Sequence, residues 1–234
     1  MPDAPEILVV IAARDEADRI GATLQALRAT FAGARLFLAD DGSRDGTSSI
    51  AAAGGAEVVW SPEPVGKGGA ATRAAERALQ AVRYPDTAIV LLCDGDLAAT
   101  AGRLLPLVEA IEAGSADLAI ATFERKVGGG LGLAKGYARS AIRKLCGLET
   151  TAPISGQRAM RAQVLAELLP FAPRYGMEVG MTVDAVRAGY RVAEIELPLA
   201  HRATGKSIAG FLHRGRQLRD FVAVYRDRRR THRR

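Results

Sequence analysis

The chain has 234 residues, 48% of them hydrophobic and only 5% aromatic, with a formal net charge of +6. That length fits one large α/β domain rather than two, with a core of small and branched side chains that needs no staples. The longest apolar run, Ala88 to Cys93, is far short of the roughly 18 residues of a membrane span, and Cys93 and Cys146 have neither disulfide-framework nor zinc spacing, which excludes a helical span, a stapled scaffold and a zinc module.

In chain order, residues 7–11 are a continuous apolar run, as expected of a parallel strand buried on both faces. Ile20, Leu24 and Leu27 share one stripe and predict a helix over residues 16–30. A second strand, 35–39, runs into Asp40-Asp41-Gly42-Ser43. Carboxylates there can accept from a base N–H or a ribose hydroxyl, or can form an Asx-type turn that caps the next helix. We expect Asp41 to bind and Asp45 to cap. A short helix over 45–53 and a third strand over 57–60 follow.

Gly66-Lys67-Gly68-Gly69 opens an alanine-rich helix predicted over 67–82. It lacks P-loop spacing, yet a lysine among glycines at a helix N-terminus favours an anion. The fourth strand, 89–93, delivers Asp94-Gly95-Asp96. Two carboxylates one glycine apart at a buried strand's end suit a hard divalent ion, Mg2+ or Mn2+, whose remaining oxygen ligands come from a diphosphate. The triplet can also be a polar strand-end turn. Leu104, Leu107, Val108 and Ile111 mark the next helix, and 118–121 a fifth strand.

Strands alternating with helices imply an α/β fold, a mostly parallel sheet with helices on both faces, whose ligands bind beyond the carboxyl ends of the strands. From Phe123 the character changes. Gly128-Gly129-Gly130-Leu131-Gly132 predicts a mobile loop over the site. Helices over 133–145 and 178–188, the latter stopped by Gly189, flank the stretch 152–158. Glu178 at a helix start complements the dipole and can also hydrogen-bond sugar hydroxyls or act as a base. A half-buried strand over 190–197 leads to His201-Arg202-Ala203-Thr204-Gly205-Lys206, a loop suited to metal ligation by His201 and phosphate binding by Arg202 and Lys206. A final amphipathic helix begins near Ser207. Residues 226–234 carry six arginines and one aspartate, so the other 225 residues carry only +1. This end reads as a solvated tail or as a patch for anionic lipid headgroups.

These segments together resemble a glycosyltransferase of family 2 with the GT-A fold. Ile11-Ala12-Ala13-Arg14-Asp15-Glu16 resembles the family's strand-end Pro-Ala-x-Asn-Glu segment, with proline and asparagine replaced. Asp40-Asp41-Gly42-Ser43 is similar to its Asp-Asp-Gly-Ser segment, and Asp94-Gly95-Asp96 to its metal-binding Asp-x-Asp. Residues 133–139, Pro153-Ile154-Ser155-Gly156-Gln157, Tyr175-Gly176-Met177-Glu178-Val179-Gly180 and His201-Arg202 resemble, in the same order, segments of the glucosyl-3-phosphoglycerate synthases.

The resemblance implies a single domain over 1–225, with a nucleotide-sugar half (1–122), an acceptor half (123–225) and a basic tail (226–234). It implies Ala13, Glu16, Asp41, Lys67, Asp94 and Gly95 at the nucleotide-sugar, Asp96 and His201 on the metal, and Glu178 and Asp94 as catalytic residues. Lys135, Ser155, Gly156, Arg202 and Lys206 would meet the acceptor. The implied activity is transfer of a hexose, glucose from UDP-glucose, to a small phosphorylated acceptor such as 3-phosphoglycerate. A polyprenyl-phosphate acceptor is the alternative, although Ala152 stands where those transferases carry an aspartate. A sugar nucleotidylyltransferase would need a glycine-rich loop after strand one, where Ala12-Ala13-Arg14-Asp15-Glu16 has none; the intact acidic triplet argues against an inactive binding module. Expected partners are the nucleotide-sugar, a phosphorylated small-molecule or lipid acceptor, a membrane surface at the arginine-rich end and a second copy in a homodimer. Nucleic acid is not expected, because no aromatic platform accompanies the arginines. Reduced cysteines and an N-terminus without signal-peptide character point to the cytoplasm, with peripheral contact at the membrane's inner face.

Overall fold

A computed structural model of the chain describes residues 5–123, 133–199 and 208–231. The elements in order are β1 (Ile7–Ala13), α1 (Ile20–Thr30), β2 (Arg35–Asp40), α2 (Thr47–Ala53), β3 (Glu57–Trp60), α3 (Lys67–Gln80) and β4 (Ile89–Asp94). A 3-10 turn, Ala98–Leu104, leads into α4 (Leu105–Glu112) and β5 (Leu118–Phe123). Then come α5 (Leu133–Cys146), β6 (Arg158–Arg161), α6 (Ala162–Leu168), α7 (Met177–Arg187), β7 (Val192–Leu197) and α8 (Ile208–Thr231).

The strands form one sheet in the order β3-β2-β1-β4-β6-β5-β7. The β1–β2, β1–β4, β2–β3 and β5–β7 pairs are parallel, and only β6 runs against its neighbours β4 and β5. The chain builds outward from β1 to β3 on one side and resumes with β4 on the other. The direction therefore reverses at the β1–β4 junction, and a crevice opens beyond the carboxyl ends of these two strands.

Successive side chains of a strand point to opposite faces. Val9, Ile11, Leu36, Leu38, Ile89 and Leu91 thus join one core layer with Ile20, Leu24 and Leu27 of α1 and Leu107, Val108 and Ile111 of α4. Leu8, Val10, Phe37, Val90 and Leu92 join the other layer with the alanines of α3, Leu165 of α6 and Met177 and Met181 of α7. Burial on both faces is why these strands are apolar throughout. A third cluster joins Ile142 of α5, Val179 and Val183 of α7, and Phe221 and Val224 of α8. Among the described residues no helix is long and apolar enough to cross a membrane.

Three sequence expectations need correcting. The first helix begins at Ile20 rather than at Glu16. Asp15 takes a positive φ of 55°, which a right-handed helix cannot hold. The backbone N–H groups of Asp15, Glu16 and Ala17 donate to Ser43 Oγ, Thr47 Oγ1 and Asp45 Oδ2 at 2.9, 2.9 and 3.0 Å. No regular element is expected between residues 152 and 168, yet β6 and α6 lie there. At the C-terminus, residues 226–231 are not a tail separate from the domain but the last turns of α8. Arg228 packs inward there, with Nη2 2.7 Å from Asp184 Oδ2. The predicted glycine-rich loop at 128–132 lies outside the described residues.

Candidate active site

The crevice is walled by acids. Asp94 ends β4 and pairs in register with Ala12 of β1, whose neighbour Ala13 pairs with Asp40 of β2. The backbone of the Asp94-Gly95-Asp96 turn is fixed from outside. Gly95 N–H donates to the Ala12 carbonyl at 2.9 Å. Buried Thr23 of α1 donates its hydroxyl to the Gly95 carbonyl at 2.8 Å and accepts the Ala98 N–H at 2.8 Å. Arg19 Nη1 donates to the Asp96 carbonyl at 3.2 Å. The triplet thus presents its carboxylates from a braced backbone.

Lys67, at the start of α3, connects this strand end to the C-terminal half of the chain. Its Nζ lies 2.6 Å from Asp94 Oδ1 and 2.8 Å from Glu178 Oε1 at the start of α7. Burial opposes the ammonium charge, but Asp94 and Glu178 outweigh it and raise the lysine above its ordinary value, so it stays protonated. The other Asp94 oxygen, Oδ2, accepts from Gln157 Nε2 at 2.8 Å, and Ser155 Oγ donates to Gln157 Oε1 at 3.2 Å. Gly156 lies directly against the ion pair. A Cβ added there would sit 2.6 Å from Lys67 Nζ and 2.9 Å from both Asp94 oxygens.

Beneath this group lies Arg158, the largest fully buried side chain. Its Nε donates to the Ser155 carbonyl at 2.9 Å and its Nη1 to Thr182 Oγ1 at 3.0 Å. Thr182 in turn donates to the Glu178 carbonyl at 2.9 Å. Burial pushes the guanidinium down to about 10, with Glu178 and Glu194 pulling it back, so it remains a cation at neutral pH. Arg158 therefore ties the Ser155-Gly156 turn to the first turn of α7.

At the end of β2, Asp41 Oδ1 accepts the N–H groups of Val65 and Gly66 at 2.7 and 2.9 Å, and Oδ2 faces Arg14 Nη1 at 3.8 Å. One oxygen of Asp41 thus holds the loop that presents Lys67. Asp45 Oδ1 accepts the Thr47 N–H at 3.1 Å at the start of α2. Its carboxyl is held below its ordinary value by the Thr47 hydroxyl first and the Ala17 N–H second.

The structure brings Asp94, Lys67, Gly156, Ser155 and Glu178 into one group, with Ala13, Gly95 and Asp96 on the same strand ends. Glu16 lies in the turn beside this end of β1, tied by its N–H to Thr47. Lys135 is exposed in the first turn of α5. His201, Arg202 and Lys206 lie outside the described residues, and no group of three or more potential metal ligands occurs among the described ones. Sequence reasoning missed Thr23, Gln157 and Arg158 as parts of the site. Arg158 left no clear trace, because the short strand it opens also ends in an arginine.

Residues 8–169 match the family model described as glycosyl transferase family 2. A glycosyltransferase of Mycobacterium tuberculosis is 31% identical over 209 residues, covering 86% of this chain and 88% of the relative. The glucosyl-3-phosphoglycerate synthase of Mycolicibacterium paratuberculosis is 30% identical over 249 residues, covering 94% of this chain and 69% of that enzyme. Among solved structures, the glucosyl-3-phosphoglycerate synthase of Mycobacterium tuberculosis in complex with Mn2+, UDP-glucose and phosphoglyceric acid superposes with a TM-score of 0.74 at 27% identity, covering 96% of this chain and 79% of that one. The same enzyme with Mg2+ and UDP superposes with a TM-score of 0.73.

Proposed function

The chain belongs to glycosyl transferase family 2, and from that premise we propose that it transfers glucose from UDP-glucose to a small phosphorylated acceptor such as 3-phosphoglycerate, with a Mg2+ or Mn2+ ion. The observation that carries this reading is the Asp94–Lys67–Glu178 chain at the β1–β4 crevice, roofed by Ser155-Gly156. Its likeness to an enzyme solved with Mn2+, UDP-glucose and phosphoglyceric acid supports the choice of donor and acceptor.

The donor set fits the ion. Asp96 offers hard carboxylate oxygens on a braced turn, too few to fill the coordination of Mg2+ or Mn2+, so diphosphate oxygens complete it. Asp96 and His201 are our metal ligands. Bound there, the ion would offset negative charge on the departing diphosphate. Ala13, Glu16, Asp41 and Gly95 line the nucleotide side. Lys67 holds its proton and fixes the carboxylates of Asp94 and Glu178, which orient the hexose by accepting from its hydroxyls. Lys135, Ser155, Gly156, Arg202 and Lys206 take the phosphorylated acceptor, with cations facing its phosphate.

The test is UDP release by the purified chain supplied with UDP-glucose, Mn2+ and 3-phosphoglycerate. Turnover should require all three and vanish in Asp96→Ala. Release that persists in excess chelator or in that variant overturns the reading.

A further inference from the structure

The β4 site makes no use of the arginines that end α8. Val222, Tyr225, Arg226, Arg229 and Arg230 recur at three- and four-residue steps, so they share one side of that helix. With Tyr137 of α5 they line a cleft of about 330 Å³. Tyr137 and Tyr225 meet edge to face, ring centroids 6.5 Å apart, and so join the two helices at the cleft. The other side of α8 is already engaged. Phe221 and Val224 are buried in the third core cluster, and Arg228 Nε lies 2.9 Å from Asp184 Oδ1.

Arg226, Arg229 and Arg230 are helix neighbours of like sign, an arrangement that weakens a helix unless an opposite charge intervenes. Among the described residues no ion pair engages any of the three, whereas Arg228 takes both Asp184 and Asp227. Basic residues in a last turn do complement the helix dipole. That accounts for their sign, but not for their sharing a cleft with two tyrosines.

We infer that the α5–α8 cleft is a second anion site, one that takes a phosphate group. Guanidinium groups offer paired N–H donors matched to phosphate oxygens, and tyrosine hydroxyls can add single ones. The volume is that of a site for a small ligand. A dissolved phosphomonoester and an anionic lipid headgroup share this chemistry. The inference is independent of the donor and acceptor assigned above.

The experiment uses the full chain, the exposed double variant Arg226→Gln/Arg230→Gln, and Arg143→Gln as a control at the far end of α5. Inorganic phosphate is titrated calorimetrically at constant ionic strength. Co-sedimentation is measured with phosphatidylcholine vesicles with and without phosphatidic acid. The double variant should lose roughly tenfold or more in affinity, and the control should keep it. Loss for phosphate alone identifies a dissolved ligand, and loss for the phosphatidic acid vesicles identifies a headgroup. Equal behaviour of wild type and double variant in both measurements overturns the site, as does an equal loss in Arg143→Gln.

Discussion

Lys67 carries a charge that burial opposes and two carboxylates demand. Because the folded protein raises its pKa, its contribution to stability is complete below the ordinary lysine value. It is lost only as pH rises past the folded one. Wild-type stability should therefore show no lysine limb across neutral pH. Lys67→Met leaves Asp94 and buried Glu178 facing each other without a cation. Its cost should be about 3 kcal/mol, and the variant should regain stability as pH falls and protons replace the lost charge; urea unfolding at several pH values checks both. Gly156→Ala separates geometry from stability. The atoms nearest the added methyl are side-chain ends, the Lys67 ammonium and the Asp94 carboxylate, rather than backbone, so the fold should survive. Displacement of the charged group by a fraction of an ångström should slow turnover by about 10²-fold, and steady-state kinetics beside a melting curve checks it. At this scale much was readable in advance. Asp94, Lys67 and Glu178 each stood at a strand or helix end, where polar residues must find a purpose. Their meeting was not readable, because it depends on α3 and α7 reaching the same strand end from opposite halves of the chain.

Between elements, α7 and the turn before it pack closely on α8. Asp220, Val224 and Arg228 lie beside Gly176, Gly180 and Asp184, so the two helices run side by side in the same direction. A Cβ at residue 176 would lie 2.3 Å from Val224 Cγ2. Gly176→Ala should therefore force the helices apart and cost about 1–3 kcal/mol, a fall of a few degrees in melting temperature for a chain of this size. Glu194 of β7 braces the turn before β6. Its carboxylate accepts the Thr151 and Ala152 N–H groups at 2.9 and 3.0 Å, and the Thr150 hydroxyl as well. Burial would raise its pKa, but the Thr150 and Thr151 hydroxyls and these N–H groups together lower it from 4.5. Its contribution is thus complete above that value and lost as pH falls through the folded one. Glu194→Gln should flatten that acid limb of the stability profile. The parallel strands and their helices were legible because burial on both faces leaves an unbroken apolar run. β6 was not, since its four residues begin and end with arginine and Arg158 is buried by hydrogen bonds rather than by apolarity. The late start of α1 was hidden because Ala13 to Arg19 has helix-compatible composition, and the positive φ at Asp15 is imposed by a loop nearly thirty residues away.

For the whole molecule, one sheet carries both halves of the candidate site. β1, β2 and β4 supply the strand-end acids, and the β6–α7 region supplies Arg158, Ser155-Gly156 and Glu178. A ligand bridging these halves should stabilise the entire fold by mass action. Family membership and fold class agreed between sequence and structure because the family's acidic segments end strands that burial on both faces makes apolar throughout. The proposed acceptor contacts draw on residues 201–206, outside the described residues, and on residues that pack rather than repeat. In the proposed reaction a metal and a nucleotide-sugar bind together at the end of β4. Calorimetric titration of UDP-glucose in the presence of Mn2+ tests it most directly. Binding should be seen with the wild-type chain and be lost both in excess chelator and in Asp96→Asn; affinity unchanged by either would contradict it.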